Sequence, residues 1–357
     1  MFGDVEFGAG TVTDDFISDS TFAKVIRSLK GPVDLILNGD TFDFLKCPLK
    51  DGTYPLQVTE AMSLEKLEQV LNAHPKVIRA LAVFTKGKNH KLYFNFGNHD
   101  LDLAFPKVQN RLAKAIGKVH FGLKYEQFGV HVEHGQQFDP LNRTKEFFVE
   151  HYGKKLLNLS YSSLGVIESF MRVKEDNPFL ERIHSRNEMF TLHPQILRTL
   201  RWQGIKQIFR QFFYDMTRNR LRKTPHWLWK ELWRRWWQDD WEISNIVAAV
   251  KKQTSSRLCV LGHMHHVYFE ESDRIVILPD TWRDEYILDA RTKTLIPKNK
   301  YYVRIRIENN APKYWELVHV PIKRSVLRFD DVVKDQMKYL LLAKKEEDTD
   351  KIQKAAP

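Results

Sequence analysis

Four short segments of this chain carry side chains that can bind a cation or move a proton: Asn38-Gly39-Asp40-Thr41-Phe42-Asp43, Gly97-Asn98-His99-Asp100, His134-Gly135 and Gly262-His263-Met264-His265. Carboxylate, amide and imidazole donors in combination suit divalent first-row metals, which take oxygen and nitrogen ligands from separate loops. Alone, each segment is commonplace, because a Gly-Asp pair or a loop histidine serves turns and hydrogen bonds equally well. Together, and each following an apolar run, they are what a scaffold needs to aim several ligands at one point.

The elements that would position them follow from periodicity. Phe22, Val25, Ile26 and Leu29 recur at helical spacing, and Gly31-Pro32 stops that helix before Val33 to Leu37, a run of the buried-strand type that is apolar apart from Asp34. Leu64, Leu67, Val70 and Leu71 mark a second helix, broken at Pro75 and followed by another, after which Leu92 to Phe96 leads into Gly97-Asn98-His99-Asp100. Phe105 to Ile116 reads as a helix, and Val119 to Leu123 and Val130 to Glu133 read as strands, the second delivering His134. Arg257 to Leu261 ends in Gly262-His263-Met264-His265. Such an α/β alternation places ligand sites in the crevice beyond the carboxyl ends of its strands. Residues 141–255 read as a mostly helical insertion, and Val267 to Phe269, Ile275 to Leu278, Tyr286 to Leu288, Tyr301 to Ile307 and Tyr314 to Val320 as late antiparallel strands completing the sheet. Val332 to Lys344 predicts a short helix before a polar tail.

The order of the four segments resembles that of the calcineurin-like metallophosphoesterases, over roughly residues 1–140 and 255–290. The resemblance implies an α/β sandwich of two mixed sheets flanked by helices. Its core would be 1–140 and 255–325, its cap the insert 141–254, and 326–357 a C-terminal helix and disordered tail. It also implies two divalent ions, manganese first, with iron, zinc or nickel as alternatives. Asp40 would touch both ions, Asn98, His134 and His263 would complete one site, and His265 would belong to the other. His99 would stabilise the transition state or protonate the leaving oxygen, with Asp100 fixing its tautomer, while Asp43 would orient neighbours. His131, His266, Asp139 and Asn142 flank the segments without matching a ligand position. The family opens with a strand ending in Asp-x-His, and here the segment is Asp4-Val5-Glu6, so Glu6 stands where the histidine belongs. A carboxylate in that place adds negative charge and shifts preference toward harder ions. Only three residues precede Asp4, and a frayed terminal segment is the alternative.

Composition narrows the partners. The 357 residues include 56 Lys and Arg against 45 Asp and Glu, a net charge of +11 that favours phosphates and other anionic partners. Two cysteines, Cys47 and Cys259, in or beside apolar stretches argue against a disulfide framework and for core thiols in a reducing compartment. No apolar run reaches the roughly 20 residues of a membrane span. A cytoplasmic location follows, with a peripheral membrane position as the alternative. Seven of the nine tryptophans fall between Trp202 and Trp241, among many arginines and lysines. Trp229, Leu232, Trp233 and Trp236 share one helical face, which suits a cap packing on the body or an anionic membrane surface, and nucleic acid less well. The expected activity is hydrolysis of a phosphomonoester or phosphodiester. A nuclease or nucleotide phosphatase, and a non-catalytic metal- or phosphate-binding module, are the alternatives.

Overall fold

Leu35, Ile36 and Leu37 give their segment no polar face, as a strand covered on both sides requires. Val33–Asn38 accordingly lies inside a four-stranded parallel sheet. The structure is a computed structural model describing residues 1–349 except 196, 197, 200, 201, 203–205, 207–229 and 232–242. The first sheet runs β1 (Phe2–Gly3), β2 (Val33–Asn38), β3 (His90–Asn95), β4 (His120–Gly122), with Gly3 beside Asn38 and Asn38 beside Asn95. The second contains β5 (Lys124–Gln127) and β6 (Val130–Glu133). After a hairpin of β7 (Phe148–His151) and β8 (Lys154–Leu157), it continues with β9 (Leu258–Leu261), β10 (Val267–Glu271) and β11 (Ile275–Pro279). Its order is β10-β11-β9-β6-β5, parallel in the middle and antiparallel at both edges.

Strand alternation sorts the core into layers. Leu35 and Leu37 pack with helices α1 (Asp19–Ser28), α2 (Glu60–Ala73), α3 (Pro75–Phe84) and α4 (Pro106–Ile116), whereas Ile36 joins Val130, Val132, Leu258, Val260, Ile275 and Ile277 between the sheets. On the far side, Cys259, Leu261, Val276 and Leu278 meet Ile246, Val247 and Val250 of the helix Ile243–Gln253. The chain is thus a mixed α/β protein with several sheets and helices, and of the two larger sheets only the second is mixed, because every pairing in the first is parallel. Local chemistry sets the helix starts: the Thr59 hydroxyl accepts the Met62 N–H, and Pro75 and Pro106 open α3 and α4, where a missing N–H costs nothing.

Three expectations change. Within the mostly helical insertion an unforeseen hairpin appears, because β7 and β8 pair and are closed by Tyr152 (φ 47°) and Gly153 (φ 70°), a two-residue turn with both centres left-handed. The late strands do not all complete one sheet. Tyr286–Asp289, Thr294–Pro297 and Leu327–Arg328 form a separate three-stranded sheet, and Lys300–Glu308 forms a two-stranded sheet with Ala311–Val320. The final helix, Gln336–Thr349, runs past Lys344, and its Glu347 accepts the Thr21 N–H at 2.8 Å and pairs with Arg324 at 3.2 Å. Trp229, Leu232, Trp233, Trp236 and the amphipathic helix expected around them lie outside the described residues, as does the tail 350–357.

Phe22 of α1 is fully buried and holds Phe2, Phe7, Phe16 and Trp282 at ring distances of 4.9–6.0 Å, tying the first strand to the helical layer. Phe22→Ala should lower the unfolding free energy by roughly 3–5 kcal/mol in urea denaturation. A loss below about 1 kcal/mol would show that this cluster does not hold the layer.

Candidate metal centre

Each chemistry-bearing segment begins where a parallel strand of one of the two sheets ends. β1 leads into Asp4 and Glu6, β2 into Gly39-Asp40, β3 into Asn98-His99, β6 into His134, and β9 into His263 and His265. The loops are tightly wound. Asp4 (φ 45°), Glu6 (φ 56°), Asp40 (φ 45°), His263 (φ 72°) and His265 (φ 52°) all sit in the left-handed region, an uncommon choice for residues with a Cβ. Such strain, of order 1–3 kcal/mol per residue, persists where the surroundings over-determine it and clusters at functional sites. Two glycines make the close approach feasible: a Cβ on Gly39 would overlap the His134 ring, and one on Gly97 would overlap Asp40 Oδ1.

Main-chain bonds stitch the loops together. Glu6 N–H donates to Asp40 O at 2.8 Å, Phe7 N–H to Thr41 O at 2.8 Å, and Asp43 N–H to Phe7 O at 2.9 Å. Asp4 O accepts the Trp282 N–H at 2.9 Å and the Thr281 hydroxyl at 2.8 Å, so the segment Asp4–Phe7 is locked and not frayed. Asn95 Nδ2 donates to Asn38 Oδ1 and to Val132 O, and Asn38 Nδ2 donates to Glu133 O, which joins the two sheets directly beneath the site.

The side chains converge on Asp40. Donor atoms of Asp40, His134 and His263 lie within 4.8 Å of one another, and so do those of Glu6, Asp40 and His99. His134 Nδ1–H donates to Asn38 O at 3.0 Å, which aims the other nitrogen, Nε2, at Asp40 Oδ2, 3.2 Å away. His265 Nε2 lies 3.3 Å from Asp4 Oδ1 and 3.4 Å from Glu6 Oε1. Asn98 Oδ1, His134 Nε2 and Glu6 Oε1 are buried yet make no hydrogen bond, although buried polar atoms are nearly always satisfied. Asn98 Oδ1 is a ligand-type atom with acceptor capacity to spare, while His134 Nε2 faces Asp40 Oδ2 and Glu6 Oε1 faces His265 Nε2.

The structure thus gathers Asp4, Glu6, Asp40, His99, His134, His263 and His265, with Asn98 next to His99 in the same loop, and corrects one role. Asp100 does not fix the His99 tautomer. Its two oxygens accept the Gly97 and Thr41 N–H groups at 2.6 and 2.8 Å, while His99 Nδ1 lies 2.9 Å from Asp43 Oδ1. Sequence adjacency points to Asp100, but the turn after Gly97 uses that carboxylate for itself.

The electrostatics follow from burial. Burial favours neutral Asp40, but His134 and His99 hold its carboxyl well below the usual range. Burial likewise disfavours imidazolium, yet Asp40 and Asp4 raise His134 to about 9, and Asp40 and Asp43 raise His99 to about 9. His265 rises to about 10 against burial through Asp4 and Glu285, and burial with Asp40 lifts Asp100 to about 7. The pocket of carboxylates therefore draws in positive charge, which protons supply when no divalent ion does. Ion binding to the imidazoles releases those protons.

Several residues here carry no motif signal. Lys46 is buried, with Nζ 2.8 Å from Asp43, 3.1 Å from Glu6, 3.3 Å from Asp15 and 3.3 Å from Glu181. Arg283 reaches Glu6 at 3.4 Å, Asp15 at 3.1 Å and Glu181 at 3.0 Å. Lys174 reaches Asp15 at 2.6 Å and Glu181 at 2.7 Å. Asp139 Oδ2 lies 3.2 Å from His263 Nε2 and accepts from Asn142 Nδ2, so this pair supports a candidate ligand from behind. His131 is tied to Glu133 and Glu126, and His266 to Met264 O, both away from Asp40. A lone lysine in Phe44-Leu45-Lys46-Cys47 was the one available hint of a buried cation.

No known family model matches the chain, and no curated protein matches it significantly.

Asp43→Asn should bring the His99 titration down from about 9 toward the ordinary histidine value, because Asp43 contributes both charge and a hydrogen bond. Imidazole carbon NMR across pH reads this directly. An unchanged His99 titration would remove Asp43 as its partner.

Proposed function

We propose that the chain is a metal-dependent phosphoesterase of the calcineurin-like type, hydrolysing a phosphomonoester or phosphodiester. The observation that supports this reading is the position of Asp40, whose donor atoms gather with those of His134 and His263, beside a second group in which His265 Nε2 lies 3.3 Å from Asp4 Oδ1 and 3.4 Å from Glu6 Oε1. Asp40, Asn98, His134 and His263 would hold one divalent ion, and Asp40, Asp4, Glu6 and His265 the other. Mixed oxygen and nitrogen donors, with the buried Asn98 Oδ1 unspent, fit such ions, manganese foremost. Divalent ions bound there supply a nucleophile near neutral pH and relief of charge on the phosphoryl oxygens.

The remaining work falls to the protein. Asp43, 2.9 Å from His99 Nδ1, would favour the protonated ring beside a loaded site. Asp43 engages Nδ1, so Nε2 is the donor left for the leaving oxygen. The His99 N–H binds Asp40 Oδ1 at 2.8 Å, coupling the acid's position to that of the shared carboxylate. A sandwich of the metallophosphoesterase kind is the fold reading that accompanies this, with 141–254 as its cap. The net charge of +11 supports an anionic substrate. No described helix is long and apolar enough to cross a membrane. An anionic membrane surface met through the cap remains part of the proposal about partners.

With manganese present, the protein should hydrolyse bis-p-nitrophenyl phosphate or p-nitrophenyl phosphate. His99→Ala should lower kcat about 10²–10⁴-fold while metal content stays the same. Asp40→Ala should lose metal and turnover together. A metal-loaded parent without turnover on either ester would favour a binding module, and full activity in Asp40→Ala would exclude this site.

A further inference from the structure

We propose that the two ion positions are unequal and that Lys46 and Arg283 make them so: the ion beside Glu6 is the weaker, exchangeable one. This rests on the phosphoesterase reading and goes beyond it by assigning a loading order to the site. Among the described residues, the ion pairs of Asp40 are with imidazole alone. Glu6, by contrast, has two permanent cations on one oxygen: Oε2 accepts from Lys46 Nζ at 3.1 Å and lies 3.4 Å from Arg283 Nε. Only Oε1 is left, buried and without a hydrogen bond, facing His265 at 3.4 Å.

Three consequences follow. Glu6 can offer one oxygen and not two, because turning the carboxylate to chelate would strip Lys46 and Arg283 of a buried partner. Its donor strength is shared with two cations before any metal arrives. And both cations repel a divalent ion placed on Oε1, an effect weakly screened where every group is buried. Among the described residues no lysine or arginine pairs with the position built from Asp40, Asn98, His134 and His263, and its two imidazoles suit the first-row metals better than an oxygen-rich set does. The Glu6 position, with the carboxylates of Asp4 and Asp40 and a single imidazole, takes a hard ion such as Mn²⁺ or Mg²⁺. The cations are themselves anchored by Asp15, and by Glu181 of the insertion, so the strength of the second position is set by a network that includes the cap segment. Activity would then rise in a second step as free metal rises.

Calorimetric titration with Mn²⁺, checked by the Mn²⁺ resonance signal of free ion, tests this without relying on turnover. The parent should bind in two steps of one ion each, separated by at least about tenfold in Kd. Lys46→Met combined with Glu181→Gln removes one cation and one anion, preserving net charge. It should tighten the weak step about tenfold or more and leave the tight step within about threefold. Glu6→Gln should abolish the weak step and keep the tight one, which covers the case where the double variant does not fold. Two equal steps in a parent that turns over ester would overturn this inference and leave the phosphoesterase reading standing. A weak step unchanged or weakened in the double variant, or one ion at every concentration, would also overturn it. A parent that binds no ion would overturn both.

Discussion

A carboxylate sealed from water must be matched by positive charge, and this chain seals six around one point: Asp4, Glu6, Asp15, Asp40, Asp43 and Asp100 are all at most 3% exposed. Everything near them answers that requirement. Asp100 is met by main-chain N–H groups, Asp15 and Asp43 by Lys46 and its neighbours, and Asp40 by imidazoles pushed to bind protons well above their ordinary range. Ligand-type atoms without hydrogen bonds lie within the same charge field. A protein that wanted only stability would gain more from apolar packing there, since buried ion pairs seldom repay their desolvation. The concentration of charge leaves groups of His, Asp and Glu donors close enough together to hold a cation.

The scaffold makes that concentration geometrically possible. Parallel strands of two facing sheets end at the same level, and Asn38 and Asn95 bond across between them, so loops from distant parts of the chain share one rim. Asp4 and His263 are 259 positions apart, yet the His263 N–H sits 3.0 Å from both Asp4 oxygens. Left-handed turns at Asp40, His263 and His265 fold the donors inward, and the absence of a side chain at Gly39 and Gly97 lets neighbouring loops touch. The insertion adds Lys174 and Glu181 to the charge network, so it is joined to the core through buried ion pairs.

Much of this was legible in the residues because burial leaves simple traces. Apolar runs such as Val33 to Leu37 marked the central strands, and donors immediately after them marked the rim. Turn chemistry was less visible: the β7–β8 hairpin was absorbed into a helical insertion because its signal is only Tyr152-Gly153 between short polar strands. Partnerships were least visible. Asp100 neighbours His99 in sequence but turns to its own loop, while Asp43, 56 positions away, supplies the contact. Lys46, Arg283 and Glu181 share no motif or period, since their association is set by tertiary packing alone. Glu6 stood out as a departure, but the cations that accompany it could not be read from its surroundings in the chain.

Under the proposed function Asp40 would be shared by two cations. Crystals grown with manganese and measured at the manganese absorption edge test it most directly. Two anomalous peaks are expected, both in contact with Asp40, one also contacting His134 and His263 and the other Glu6 and His265. Density with no anomalous peak at Asp40, or an ion held only by residues outside this set, would contradict it.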